Sequence, residues 1–324
     1  MRLSEITLPI KDDLDAFEKQ FKSLLKSDVF LIDKVIGYFI ARKGKRLRPI
    51  MSLLVSRLNG KTPSIKRYSA AAIVELMHTA SLMHDDVVDD SYKRRGFPSI
   101  NSIWKNKVSV LTGDYMFSKV LVAMFDIRDF HAYDIVSTTA QRMSQGELLQ
   151  LERSHDYWME EEIYYRLIGD KTASLISAAC QLGAVVSQSS EDEIQAMARF
   201  GENVGLAFQI RDDLLDLLGV EKVTGKPIGN DLRENKITLP LLHALKQAEK
   251  RDAKRIIKMM KKGLRNNNIS TVVDFIKENG GVDYATSRAN AMQRDALREL
   301  ERYSDSRYKQ VLTRLVEFIT TREH

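Results

Sequence analysis

Two nine-residue segments carry the same unusual chemistry. In Leu82-Met83-His84-Asp85-Asp86-Val87-Val88-Asp89-Asp90 and Phe208-Gln209-Ile210-Arg211-Asp212-Asp213-Leu214-Leu215-Asp216, aspartates fall at i, i+1 and i+4 of otherwise apolar stretches. On a helix, residues four apart share a face with Cβ atoms about 6 Å from each other, so Asp85 stacks on Asp89 and Asp212 on Asp216. Like charges so placed weaken a helix, and burying them costs more. A cation removes the conflict. Magnesium is the hard, oxygen-seeking choice, taking one or two carboxylates and completing its shell with water and phosphate oxygens. Two such clusters acting together would grip a diphosphate among several magnesium ions. The bland alternative is a pair of solvated helix ends. One such match is compatible with chance; two on apolar helices are much harder to attribute to it. The spacing is not that of an EF-hand loop, and no His/Cys set has zinc spacing.

Basic residues recur beside both clusters. Gly44-Lys45-Arg46-Leu47-Arg48-Pro49 gathers its charges at a turn between two helical segments, and Arg94-Arg95-Gly96 follows the first cluster. Guanidinium groups make planar, bidentate contacts to phosphate oxygens. Asp170-Lys171-Thr172 is expected to begin a helix, and Lys226 and Lys236 follow the second cluster. Each alone reads as a surface cation; their recurrence beside carboxylates favours diphosphate ligands. His78 lies seven residues before Asp85, two helical turns away and close to the same face, which favours a phosphate-side role over that of a core histidine.

The elements that must position these groups are helices. Apolar residues recur at helical spacing almost throughout, with Leu14, Phe17, Phe21, Leu24 and Leu25 marking a first helix and Val29 to Ile40 a second. From Ile65 to Val88 the pattern is apolar on most sides, as for a helix at the centre of a bundle. Further helices are expected over 107–125, 132–153, 158–167, 171–187, 191–218, 237–248, 252–262, 269–278, 281–303 and 306–321. Breaks fall at Arg95-Gly96-Phe97-Pro98, Gly225-Lys226-Pro227 and Asn279-Gly280-Gly281. With 6 prolines and 16 glycines in 324 residues, many short strands are disfavoured. No linker or composition shift divides the chain, so one all-helical domain over 1–324 is expected.

Bulk properties narrow the setting. One cysteine, Cys180, cannot form an internal disulfide, and no uninterrupted apolar run approaches the roughly 20 residues of a membrane span. The N-terminus has no signal-like stretch. A cytoplasmic protein is expected. The formal charge is +6, much of it in Lys250–Lys262, where Ile256, Ile257 and Met260 mark an apolar stripe on a basic helix. A solvated face over a core stripe is the ordinary reading, with lipid-surface contact second; no motif supports nucleic acid.

With these motifs in order, the chain resembles the trans-isoprenyl diphosphate synthases, in particular the long-chain heptaprenyl, octaprenyl and solanesyl type. The resemblance runs through GKRLRP (44–49), ELMHTASLMHDDVVDDSYKRRG (75–96), GDYMFSK (113–119), GDKTASL (169–175), GLAFQIRDDLLDLLG (205–219) and GKPIGNDLRENKITLPLL (225–242). It implies an all-α bundle of the isoprenoid synthase type around a deep central cavity, working as a homodimer. It also implies that Asp85, Asp89, Asp212 and Asp216 hold magnesium, three ions when substrate is bound, with Asp86 and Asp213 in support. Arg94, Lys171, Lys226 and Lys236, with Thr172 and Gln209, would hold the allylic diphosphate. Lys45, Arg48, His78 and Arg95 would hold isopentenyl diphosphate. Lys43 departs from the pattern, standing where relatives often have a second glycine. The C-terminal Thr321-Arg322-Glu323-His324 is not assigned the substrate contact that a basic tail makes in some relatives.

The reaction so implied ionises the allylic C–O bond, attacks the cation with the isopentenyl double bond and loses a proton, with the departing diphosphate as the expected base. Product length then becomes a packing question. Ala80 and Ser81, five and four residues before Asp85, are small where short-chain relatives often carry aromatics, so a long product is expected; Met77 and the Ile135–Val136 region are candidate floors. Peripheral membrane contact would serve product release. The rival readings are a shorter-chain synthase, a non-catalytic subunit of a heteromeric synthase and a terpene cyclase. Two intact acidic clusters and GKRLRP disfavour the last two.

Overall fold

A computed structural model describes residues 3–42, 44–61, 64–94, 96–219, 229–264 and 266–320. Arg95, Lys226, the break at 225–227, Lys43 and the C-terminal 321–324 lie outside the described residues. The fold is all-α. The helices are α1 (Leu3–Ile6), α2 (Lys11–Leu24), α3 (Phe30–Ile40), α4 (Leu47–Val55), α5 (Lys66–Val88), α6 (Ile100–Ile127), α7 (Phe130–Glu152), α8 (Glu161–Ile168), α9 (Ser174–Val186) and α10 (Glu191–Leu218). They continue with α11 (Asn230–Arg233), α12 (Leu239–Gln247), α13 (Lys250–Lys261), α14 (Asn266–Glu278), α15 (Gly281–Glu299) and α16 (Arg307–Thr320). Among the described residues, sheet is limited to a hairpin of β1 (Lys93–Arg94) and β2 (Phe97–Pro98).

Packing divides the chain into two compact units. The first comprises residues 1–140, 175–198 and 300–315, the second 141–174, 199–299 and 316–324.

The first unit is organised on α5, which packs against α2, α4 and α6. Its middle, from Ala70 to Val74 with Leu76 and Met77, is fully buried, as an all-round apolar helix requires. Small residues set the α5–α6 approach: a Cβ on Gly113 would stand 2.3 Å from the His84 ring. The apolar period expects this helix from residue 107, and its continuous part begins just after Lys105; the single helical turn ahead of it is set off by the non-helical Lys105 backbone (φ 73°, ψ 163°). By length and composition α6 could also cross a membrane, with mean hydropathy 1.3 over an 18-residue window of which 39% is buried. The core helix of a soluble protein meets the same test. Its outer face leaves Leu111, Leu121, Val122 and Phe125 exposed.

In the second unit, α12, α13 and α14 close over Leu217, Leu241, Ile256, Met260, Val272 and Ile276. A neighbouring cluster joins Tyr164 and Ile168 of α8, Ile210 and Leu214 of α10, and Ala285 and Ala289 of α15. Between α8 and α9 the chain does not start afresh at Asp170 as expected. It runs on through one π-helical turn, Gly169–Ala173. Such turns leave a local bulge in the backbone ladder and are frequent at functional sites.

Candidate active site

In the first unit, α5 ends at Val88, so Asp89 is not inside the helix but is its C-cap; its N–H still donates to the Asp85 carbonyl at 2.8 Å. The acids therefore occupy the carbonyl end of the helix, where the macrodipole adds negative potential to their own charge. Any bound cation is favoured by both. Asp85 is half-buried and Asp89 and Asp90 are exposed, whereas Asp86 is 3% exposed. The structure thus splits the cluster: Asp86 accepts Arg94 Nε at 2.7 Å, and its carbonyl accepts Asn101 Nδ2 at 2.9 Å. Burial pushes the Asp86 carboxyl up, against the pull of Arg94. Arg94 does not continue the helix: it lies on β1, the first strand of a hairpin that turns at Gly96 (φ 80°), and reaches Asp86 from there.

The basic motif is sorted in the same way. Arg46, at φ 53°, caps α4 and pairs with Glu18 at 3.3 Å and with Glu75, its guanidinium 4.8 Å from the Phe21 ring centre. That arginine holds α2, α4 and α5 together. Lys45 is exposed and Arg48 half-buried beside it. His78 is half-buried on α5, and its carbonyl accepts Ser81 Oγ at 3.0 Å. Met77 and Ala80 are fully buried, Ser81 half-buried.

In the second unit Asp212 is exposed, Asp216 half-buried and Asp213 6% exposed. Asp213 ends a hydrogen-bonded chain: Thr172 Oγ1 donates to Gln209 Oε1 (2.9 Å), Gln209 Nε2 to Asp213 Oδ1 (2.9 Å), and Tyr164 Oη to Asp213 Oδ2 (2.8 Å). Asp216 accepts the Asp231 N–H at 3.0 Å, and its carbonyl accepts the Gly229 N–H at 2.9 Å, so it seats the turn into α11. Lys236 sits after that helix, 2.7 Å from Glu234 and 3.5 Å from Asp231. Lys171 projects from the π turn to Glu147 (2.8 Å) and Gln150 (3.0 Å) of α7.

The π turn is held on both sides by glycines. A Cβ on Gly146 of α7 would stand 2.8 Å from the Lys171 nitrogen, and one on Gly205 of α10 2.4 Å from Ala173 Cα. Arg142 completes the clamp, reaching Asp170 Oδ1 at 2.7 Å and both Glu202 oxygens at 3.1 and 2.7 Å. Sequence reasoning singled out none of Arg142, Glu147, Tyr164, Glu202 or Asp231. A glycine within the polar Gln145-Gly146-Glu147 stretch of a helix was the available signal, since it marks close backbone approach.

Burial pushes the Asp213 carboxyl up to about 8; the Asp231 charge adds to this, and the Gln209 and Tyr164 hydrogen bonds oppose it. From the ordinary value of 3.8 up to about 8, the folded chain holds a proton that the unfolded chain has released. Stability from this group is therefore full below the lower value and is lost as pH rises through the upper one. Thermal unfolding in metal-free buffer should show the wild type losing ground to Asp213→Asn between about pH 5 and pH 9. A difference that stays flat over that range would contradict the assignment.

Among the described residues no three His, Cys, Asp or Glu side chains converge into a ready-made metal cage. The outer aspartates, less buried than the middle ones and oxygen-only, fit a cation that draws most of its shell from water and phosphate; they do not suit zinc.

Residues 30–278 match the polyprenyl synthetase family. The all-trans-nonaprenyl-diphosphate synthase (geranyl-diphosphate specific) of Rhodobacter capsulatus is 34% identical, over 96% of this chain and 95% of that one. Component 2 of the Bacillus subtilis heptaprenyl diphosphate synthase is 32% identical, over 97% and 89%. The structure of a Caulobacter crescentus polyprenyl synthase complexed with calcium and isoprenyl diphosphate superposes with a TM-score of 0.92 at 32% identity, covering 100% of this chain and 98% of that one. Two acidic clusters on apolar helices, each with its middle carboxylate buried and its outer ones less so, thus belong to a chain matched nearly end to end, and this protein is a member of the polyprenyl synthetase family of prenyltransferases.

Proposed function

We propose that this chain condenses isopentenyl diphosphate head-to-tail onto an allylic diphosphate, repeatedly, to make a long trans-polyprenyl diphosphate. The observation that carries this is the division of labour within each aspartate triplet. Asp86 and Asp213 are buried and held by hydrogen bonds, which fixes the helix positions of Asp85, Asp89 and Asp212, all of them less buried than the middle acids. These three, with Asp216, would hold magnesium, in our reading three ions per loaded site. Bound magnesium would neutralise charge developing on the leaving diphosphate.

The chain's own groups have distinct tasks. Lys171 and Thr172 on the π turn, with Gln209, Arg94, Lys226 and Lys236, orient the allylic diphosphate so that its C–O bond breaks with the electron pair leaving on oxygen. Lys45, Arg48, His78 and Arg95 hold isopentenyl diphosphate so that its double bond meets the allylic carbon. The new C–C bond forms as a proton leaves the adjacent carbon, and the departed diphosphate is the nearest acceptor. Apolar walls exclude water, which would quench the cation to an alcohol.

Length is set along α5. An isoprene unit spans about 5 Å, close to three residues of helical rise, so each helical level opened admits another unit. Met77, Ala80 and Ser81 lie on the levels below Asp85. The wild-type chain, given isopentenyl diphosphate, magnesium and a farnesyl or geranylgeranyl primer, should yield long-chain products by mass spectrometry, and Ser81→Phe should shorten them by several units. Ala80→Phe should do the same at some cost in stability, since Ala80 is fully buried. Unchanged lengths in both variants would refute this geometry, and short wild-type products would favour a geranylgeranyl-type synthase.

We further propose a homodimer, supported by the exposed apolar face Leu111, Leu121, Val122 and Phe125 of α6, and a cytoplasmic setting, supported by the single, buried Cys180 thiol. The purified chain alone should be active. Activity appearing only on addition of a second polypeptide would make it a partner subunit.

A further inference from the structure

The excess charge of this protein is gathered on one helix. Residues 250–262 contain seven Lys and Arg against one Asp, a net +6, which equals the formal net charge of all 324 residues. The rest of the chain is therefore balanced. Helical periodicity sorts the segment cleanly: Ala253, Ile256, Ile257 and Met260 are buried in the core of the second unit, and all seven basic residues are exposed. Lys250, Lys254, Lys258 and Lys262 repeat every four residues, which places them in one stripe along α13. Among the described residues only Arg255 of this set has an ion-pair partner, Asp252 at 3.7 Å. A helix whose charges served solubility alone would mix signs, as α15 does with Asp283, Arg288, Asp295 and Arg298.

We propose that the basic face of α13 is a docking surface for an anionic lipid bilayer. Its apolar face is already committed to the core, so the helix cannot insert, and attraction to negative headgroups is the contact left to it. Five of the seven cations are lysines, compact charges on flexible stems that suit a diffuse negative field. The helix has no aromatic residue on which nucleic-acid bases could stack. It also lacks an exposed apolar anchor of the kind that dominates protein–protein recognition. The purpose rests on the long-chain reading: a polyprenyl tail of many units is insoluble in water, so the enzyme that consumes it must take it from lipid. A surface that holds the synthase on the bilayer shortens that transfer.

Sedimentation of the full-length, substrate-free protein with vesicles tests this directly. The protein should pellet with phosphatidylcholine vesicles containing about one third phosphatidylglycerol, not with phosphatidylcholine alone, and should be released at high salt as the charges are screened. Replacing Lys250, Lys254 and Lys258 together by Glu should weaken binding about tenfold or more. Condensation of a short primer, assayed in detergent, should stay at the wild-type rate. Equal pelleting with neutral vesicles, no pelleting with either kind, or a triple variant that binds as before would overturn the proposal. So would a preference for duplex DNA or polyglutamate over anionic vesicles. The wild-type lipid and salt comparisons stand even if the variant misfolds. Product mass in detergent judges the long-chain reading separately.

Discussion

Alanine at Asp85 or at Asp212 should lower kcat by at least about a hundredfold, and by more where a metal ion is lost outright, with the helical circular dichroism unchanged. The structure gives the reason for expecting such a separation of activity from stability. Asp85 is half-buried and Asp212 exposed, whereas the middle acids are buried. Removing either relieves like-charge repulsion within its triplet, so the fold should lose little stability. The middle acids behave oppositely. Asp86→Ala strands Arg94, and Asp213→Ala strands Tyr164 and Gln209, so these variants should unfold at lower temperature. The contrast between outer and middle positions is the discriminating result. Near-normal turnover in both Asp85→Ala and Asp212→Ala would remove the basis for the proposed chemistry.

The second large effect is expected at Arg142, a residue that touches no proposed substrate. Arg142→Ala leaves Asp170, 9% exposed, and Glu202 without their shared cation. Losing one partner of a buried ion pair typically costs about 3–5 kcal/mol, and the one-third exposure of this arginine side chain brings the expectation down to about 2–3 kcal/mol. The turn that it clamps carries Lys171 and Thr172 in a π-helical geometry that no local propensity enforces. Loosening that turn should raise KM for the allylic diphosphate and lower kcat/KM about ten- to a hundredfold. Lysine keeps the charge but cannot reach three oxygens in a plane, so Arg142→Lys should recover stability more than it recovers KM. A general loss of folding would instead reduce the active fraction without changing KM. Titration of active enzyme against both substrates separates the two, and an Arg142→Ala protein with wild-type KM and unfolding temperature would show that the clamp positions nothing.

Much of this was legible in the chain because the helical period is itself a property of sequence. The span from Ile65 to Val88 announced a central helix by being apolar on every side, and α5 is that helix to within a residue. The acidic triplets were visible because their charges contradict their apolar surroundings. What the period could not show was where a helix stops for tertiary reasons. α5 ends at Val88 because the Asp86 carbonyl accepts the N–H of Ser91 and the side-chain amide of Asn101, and Arg94 on the strand that follows reaches the Asp86 carboxylate. Ahead of the continuous part of α6 stands one helical turn, set off by Lys105 at positive φ.

The roles of like residues were also beyond reach of the sequence. Lys45, Arg46 and Arg48 are chemically near-equivalent in one dimension. Only packing shows that Arg46 is committed to Glu18, Glu75 and the face of Phe21, whereas Lys45 is exposed. The same holds within each triplet, where three aspartates look alike until burial and hydrogen bonding single out the middle one. The helical class and the family were thus legible in the sequence alone, because they follow from local periodicity and from the order of its charged motifs. Tertiary structure alone decided which carboxylate of each triplet is buried, and how the Lys171 turn is held, because those depend on partners dozens of residues away.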